Sequence, residues 1–119
     1  MKFSVVLVGA LIPLAAAPAG IAHAQQSYPN RPIRIIIPFT PGGTNDILAR
    51  LLAPKLSEGL GQNVIVDNRP GGNTVIASQV LLASNRDGHT VMLPGNSHVL
   101  VPYLSKAPLP FDSLKDFAP

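Results

Sequence analysis

Three short stretches of this sequence carry the residues whose types and spacing could do chemistry. The first is "PFTPGGTND", where Gly42 and Gly43 are followed by Thr44 and Asp46. The second is "NRPGGNT", with Gly71, Gly72, Asn73 and Thr74, and the third is "PGNSH", with Asn96, Ser97 and His98. A glycine has no Cβ, so its backbone can take strained angles and a ligand can approach the main-chain N–H groups closely. Thr44 stands where a helix N-cap belongs, and the N–H groups of the turn after it carry the positive end of a helix dipole. Such a turn favours an anion. No lysine adjoins the glycines as in a phosphate-binding P-loop, and the third glycine of a dinucleotide fingerprint is missing. A carboxylate fits what remains, while a plain tight turn between a strand and a helix is the alternative for Gly42 and Gly43.

The other residues of these stretches admit two readings each. Asp46 in a first helical turn is ordinarily there for the dipole; near a carboxylate it would repel, so its functional reading is to hold a water or a ligand amine. Asn96, Ser97 and His98 can donate hydrogen bonds to an anion's oxygens. Catalysis has less to stand on. Ser97 and His98 are sequence neighbours, which does not make a nucleophile–base pair, and the G-x-S-x-G elbow is absent. His89 and His98 are too sparse for a metal site, and His89 reads as a structural residue. No metal and no cofactor are expected. Arg34 and Arg69 read as solvated or paired surface charges.

These stretches need a frame. Ile33 to Ile37 is a short β-branched run between prolines and reads as a buried strand. After the first glycine turn, Ile47, Leu48, Leu51, Leu52, Leu56 and Leu60 are spaced as the core face of a helix, with Asn45, Asp46, Arg50, Lys55 and Glu58 opposite. Pro54 should kink that helix, and Gly59 and Gly61 should stop it. Val64 to Val66 reads as a second strand. In "NTVIASQVLLASN", Ile76, Val80 and Ala83 fit a second helix, although the β-branched Val75 and Ile76 keep a strand open. Asp87-Gly88 is a turn, and Thr90 to Leu93 a third strand. The order β-α-β-α-β predicts a parallel α/β sheet with right-handed crossovers. All three stretches then fall at its carboxyl edge, where open α/β sheets bind ligands. The remainder, "VLVPYLSKAPLPFDSLKDFAP", reads as an extended, irregular crossing segment.

Composition narrows the class. Residues 1–24 have the layout of a secretory signal peptide, with cleavage expected after Ala24; Pro13, Pro18 and Gly20 interrupt the apolar run, which argues against a spanning anchor of roughly 20 residues. Residues 25–119 carry eight basic and six acidic residues, net +2, with basic residues scattered singly. That is no nucleic-acid footprint. The chain has no cysteine, which removes thiolate catalysis, thiolate metal sites and disulfides. Its last letters, "DSLKDFAP", read as an interruption, so a site shared between two lobes would be half present.

"YPNRPIRIIIPFTPGGTNDILARLLAPKLSEGLGQNVIVDNRPGG", "DGHTVML" and "FDSLKDFAP" together resemble the extracytoplasmic solute receptors of tripartite tricarboxylate transporters, the Bug-type periplasmic binding proteins. The resemblance spans nearly all of residues 25–119, and P-F-x-P-G-G-x-x-D followed by N-R-P-G is its most specific part. It implies a two-lobed, type II-like periplasmic-binding-protein clamshell, of which residues 25–119 would be the N-terminal portion of the first lobe. It also implies a non-enzymatic, periplasmic receptor for a small organic carboxylate, with membrane permease subunits as partners. By position, Phe39, Thr40, Gly42, Gly43, Thr44 and Asp46 match its first ligand loop, and Gly72, Asn73 and Thr74 its second. Asn96, Ser97 and His98 fall in its third. The second loop departs from the frequent P-G-A-G-G pattern, reading Pro70-Gly71-Gly72-Asn73-Thr74. The alternatives are a small exported serine hydrolase using Ser97 and His98, or an inactive truncated product.

Overall fold

The computed structural model describes residues 27–117. The expected signal peptide and its cleavage point after Ala24 lie outside the described residues. Three strands form one parallel sheet in the order β2-β1-β3: β1 is Ile33–Ile37, β2 Val64–Asn68 and β3 Thr90–Met92. Helix α1, Thr44–Leu60, joins β1 to β2; a 3-10 turn at Gly72–Thr74 and helix α2, Val75–Leu82, join β2 to β3. The α/β order predicted from the sequence is therefore present, with Val75 and Ile76 in a helix rather than a strand. β2 runs two residues further than predicted, through Asp67 and Asn68, and β3 one residue less.

β1 is the central strand and is buried on both sides. Ile35 and Ile37 pack with Ala49 of α1, joined by Phe39, Val64, Val66 and Leu93. Successive strand side chains point to opposite faces, so Ile36, fully buried, looks the other way, where α2 packs on β1 and β3.

α1 corrects the sequence-based reading of its core face. Its buried residues are Asp46, Ala49 and Ala53. The predicted core stripe faces outward: Ile47, Leu48, Leu51, Leu52, Leu56 and Leu60 are all exposed, Leu51 by 67%. The polar residues on the alanine side explain why. Asp46 accepts a hydrogen bond from Asn68 of β2, and Ser57 Oγ accepts one from Val64 N while donating to Ala53 O. These bonds tie one face to the sheet, and the small alanines let the helix approach closely. The helix runs continuously through Pro54 and ends on Gly61, which takes φ 66° and donates its N–H to Ser57 O. No helix among the described residues is long and apolar enough to cross a membrane.

The segment after β3 supplies a second correction. Ser97–Leu104 is a helix, α3, with His98 and Val101 buried, where an extended crossing segment was expected. Within that segment, residues 105–117 are irregular.

Candidate functional site

The three strand exits meet at the carboxyl edge, the first two joined by hydrogen bonds and the third packed beside them. Asn68, at the end of β2, donates from Nδ2 to Phe39 O at 3.1 Å and to Asp46 Oδ1 at 2.9 Å, joining the second exit to the first. The third exit reaches the first through Gly95, where a Cβ would lie 2.9 Å from Asn45 Nδ2 and 3.8 Å from Phe39 Cε2. The Gly72–Thr74 turn packs against α3, joining the second exit to the third.

In the first loop the two glycines differ. Gly42 has φ +87° and is held in the left-handed region that suits glycine. Gly43 has φ −74° and ψ 165°, ordinary extended backbone, and is the N-cap of α1 with no side-chain cap bond. The strained backbone expected of both glycines thus applies to Gly42 alone, and the N-cap role expected of Thr44 belongs to Gly43. Thr44 is exposed inside the first turn. The first intrahelical bond runs from Ile47 N to Gly43 O at 2.9 Å, so the N–H groups before it have no partner of that kind. Thr40 is exposed and Phe39 half-buried beside them.

Asp46 does different work from that expected. It is 2% exposed, and its carboxylate accepts from Gly42 N at 2.8 Å, from Arg50 Nε at 3.0 Å and from Asn68 Nδ2 at 2.9 Å. Arg50 Nη2 also donates to Asn68 Oδ1 at 3.0 Å. A ligand amine could reach Asp46 only by displacing one of these groups, so the side chain braces the glycine turn against β2. The Arg50 hydrogen bond, followed by those from Gly42 and Asn68, holds the Asp46 carboxyl down at about 2 against the opposing effect of burial. Arg34 and Arg69 both sit on Asp67, the paired surface charges the sequence suggested.

The second loop has the least ordinary backbone. Gly71 and Gly72 have φ +120° and +58°, and the next two residues also have positive φ: Asn73 at +48° and Thr74 at +79°. Gly72 and Asn73 are exposed, while Thr74 is buried.

In the third loop Asn96 is exposed, and Ser97 Oγ donates to Pro94 O at 3.2 Å. His98 does not line the edge. It is buried, with Nδ1 3.4 Å from Ser78 Oγ and its ring stacked on Phe111 at 5.9 Å and edge-on to Phe117 at 4.7 Å. Burial lowers its pKa. The expectation that His98 contributes to a ligand loop is therefore corrected, because helix α3 turns it inward. The hydrolase alternative loses its pair with it: Ser97 and His98 bond to different partners, and Ser78, the serine that His98 does meet, is fully buried.

Arg50, Asn68, Asn45 and Gly95 stand at the edge and were not read from sequence as site residues. Asp46 and Arg50 stand at the i,i+4 spacing of a helical ion pair, and Pro94-Gly95 is a turn signal. Asn68 had no such mark. A cavity of about 550 Å³ between α3 and the following segment, lined by Pro102, Tyr103, Lys106, Pro108, Phe111 and Leu114, is separate from the glycine turns.

The comparisons agree on a family. The model of the tripartite tricarboxylate transporter family receptor matches residues 48–119. Protein BugT of Bordetella pertussis is 42% identical over 113 residues, covering 92% of this chain and 35% of BugT. MatC of Rhodopseudomonas palustris, solved with bound malate, superposes with a TM-score of 0.67 at 30% identity, over 77% of this chain and 31% of MatC. Rpa4515 of R. palustris, solved with adipate, gives 0.52 at 43% identity, over 55% of this chain and 22% of that one. The chain spans about a third of the length of the curated relatives it matches. With a parallel α/β sheet, three joined loops at its carboxyl edge and this family match over more than half its residues, the chain belongs to the tripartite tricarboxylate transporter receptor family.

Proposed function

We propose that this chain carries the carboxylate-binding turns of a periplasmic solute receptor, exported by residues 1–24 with cleavage after Ala24, and that the receptor hands its ligand to membrane permease subunits. One observation carries the reading: α1 opens on Gly43 with no side-chain cap, beside two further strand exits with exposed polar residues. Uncapped N–H groups at a helix start favour a negative oxygen. The N–H groups from Thr44 onward take the ligand carboxylate, with Gly42 and Gly43, whose own N–H groups donate to Asp46 and Thr40 O, leaving room for its approach; Gly72, Asn73, Thr74, Asn96 and Ser97 complete the polar edge, with Phe39 and Thr40 at its margin. The relatives solved with malate and with adipate support a small dicarboxylate as the ligand class.

Each hydrogen bond made against open solvent contributes about 1 kcal/mol. A few of them, less the cost of association, give the chain by itself millimolar affinity. Amide NMR of residues 25–119, the chain left after that cleavage, titrated with malate tests this. Saturable shifts should centre on the amides of residues 43–46; shifts confined to other residues, or none up to tens of millimolar, reject the assignment.

A further inference from the structure

His98 is a buried titratable group that the ligand edge does not use, and it belongs to a cluster of three rings. Its imidazole is 5.9 Å from the ring of Phe111 and 4.7 Å from that of Phe117, and the two phenylalanines meet edge-on at 5.5 Å. Nδ1 lies 3.4 Å from Ser78 Oγ on α2, while Nε2 is buried without a hydrogen-bond partner. Both phenylalanines stand in the irregular segment that follows α3. Among the described residues, the hydrogen bonds of residues 106–117 join them only to one another or to Ser105: Ser105 Oγ donates to Ala107 O, Leu114 N and Lys115 N to Asp112 Oδ1, and Asp112 N to Asp116 Oδ2. The segment is therefore held to the fold by ring packing, and His98 is the ring on the fold's side.

The surroundings of this ring supply no charge to balance a proton. Helix α2 and the Gly72–Thr74 turn contain no titratable residue. Tyr103 of α3 and the charged groups of the segment, Lys106, Asp112, Lys115 and Asp116, are all exposed, with Asp112 and Lys115 paired to each other. Burial alone lowers the His98 pKa. A protonated imidazole carries an N–H on both nitrogens, so Nε2–H would be buried without an acceptor. Phe111 offers a cation its π face but cannot replace that acceptor. A histidine whose pKa is lowered in the closed form binds its proton more readily once released, so the closed form is complete above about pH 6.5 and loses stability below it. We propose that the His98–Phe111–Phe117 cluster is an acid-released clamp: on taking up a proton, His98 lets go of the two phenylalanines and frees residues 105–117 from α3 while the sheet and α1 stay folded.

The chain has no cysteine, so single introduced thiols can report the release through their rate of labelling by dithiodipyridine. Ser113→Cys probes a position 9% exposed in the clamped segment, Leu114→Cys a neighbour 74% exposed, and Ala49→Cys a position 1% exposed in the core. The ratio of Ser113→Cys to Leu114→Cys labelling cancels the reagent's own pH dependence. In residues 25–119 this ratio should rise roughly 8-fold between about pH 7 and about pH 5.5, the effect of a histidine that protonates near 6.5 only when released. His98→Phe, which keeps a ring without a proton site, and His98→Gln should each hold the ratio constant. Ala49→Cys should label far more slowly than Ser113→Cys at both pH values. A flat ratio with His98 in place, or a rise that persists in either His98 variant, overturns the proposal. So does Ser113→Cys labelling as fast as Leu114→Cys at neutral pH, which means no clamp, or as slowly as Ala49→Cys, which means that the segment opens only when the whole fold does.

Discussion

Gly42 and Gly43 are adjacent and chemically identical, yet the structure gives substitution at each a different consequence. At Gly42, φ is +87° and an added Cβ would meet nothing within 4 Å. The penalty for alanine is then backbone strain alone, about 1 kcal/mol for an L-residue in the left-handed region. For a domain of this size that corresponds to a fall of about 4–8 °C in melting temperature. At Gly43, φ is −74° and the Cβ would lie 3.5 Å from Thr40 O, an ordinary contact. Alanine there costs nothing in strain and removes unfolded-state freedom, so stability should hold or rise by about 0.4–1 kcal/mol. The methyl group would, however, stand among the uncapped N–H groups at the start of α1. If a carboxylate docks there, Gly43→Ala should weaken malate binding by about 1–3 kcal/mol, the range for leaving a polar partner unsatisfied, and Gly43→Val should weaken it more. Thermal melting and NMR titration of both alanine variants separate the two effects. The reasoning fails if Gly43→Ala melts as early as Gly42→Ala, or if it binds malate as the wild type does.

The Asp46 carboxyl, held at about 2 in the fold against an ordinary value of 3.8, contributes stability that is complete above about pH 4 and lost as the pH falls toward 2; Asp46→Asn should flatten that part of a melting-temperature profile, and an unchanged acid limb would show that the brace is idle. The buried His98 has its pKa lowered from 6.5, so the unfolded chain takes up a proton first and stability should begin to fall as the pH drops below about 6.5; His98→Leu should remove that decline, and a decline of unchanged size would place its origin elsewhere. Leu51 and Leu52, 67% and 42% exposed on α1, should accept lysine with a change within about 0.5 kcal/mol and with less self-association in light scattering; cooperative melting lost in either variant would mean that this face is buried after all.

Much of the frame was legible because its signals are local. A β-branched run between prolines, a 3.6-residue period and glycine punctuation predicted β1, α1 and the parallel order, and with them one edge shared by three turns. What misled lay in facts that periodicity does not contain. The apolar stripe of α1 follows the helix period whether it faces sheet or solvent, and the choice was made by Asp46, Asn68, Ser57 and Val64, whose bonds join residues up to 22 positions apart. Hydropathy scored the leucines as core, but hydrogen bonding and the close approach permitted by Ala49 and Ala53 decided which side met β1.

The candidate site was misread for a related reason. Residue type told which groups could touch an anion, whereas backbone conformation decided which are presented to it. His98 was assigned to a loop because "PGNSH" follows a strand; the helix beginning at Ser97 instead carries it inward to Ser78, Phe111 and Phe117. Asp46 was read as holding a water or a ligand amine, whereas in the fold Gly42 N, Arg50 and Asn68 converge on its carboxylate from three directions. Asn73 and Thr74 moved the other way. In sequence they were a departure from a familiar glycine pattern; in the fold they hold positive φ, one exposed and one buried. Residue letters gave no sign of that backbone, because asparagine and threonine ordinarily take negative φ.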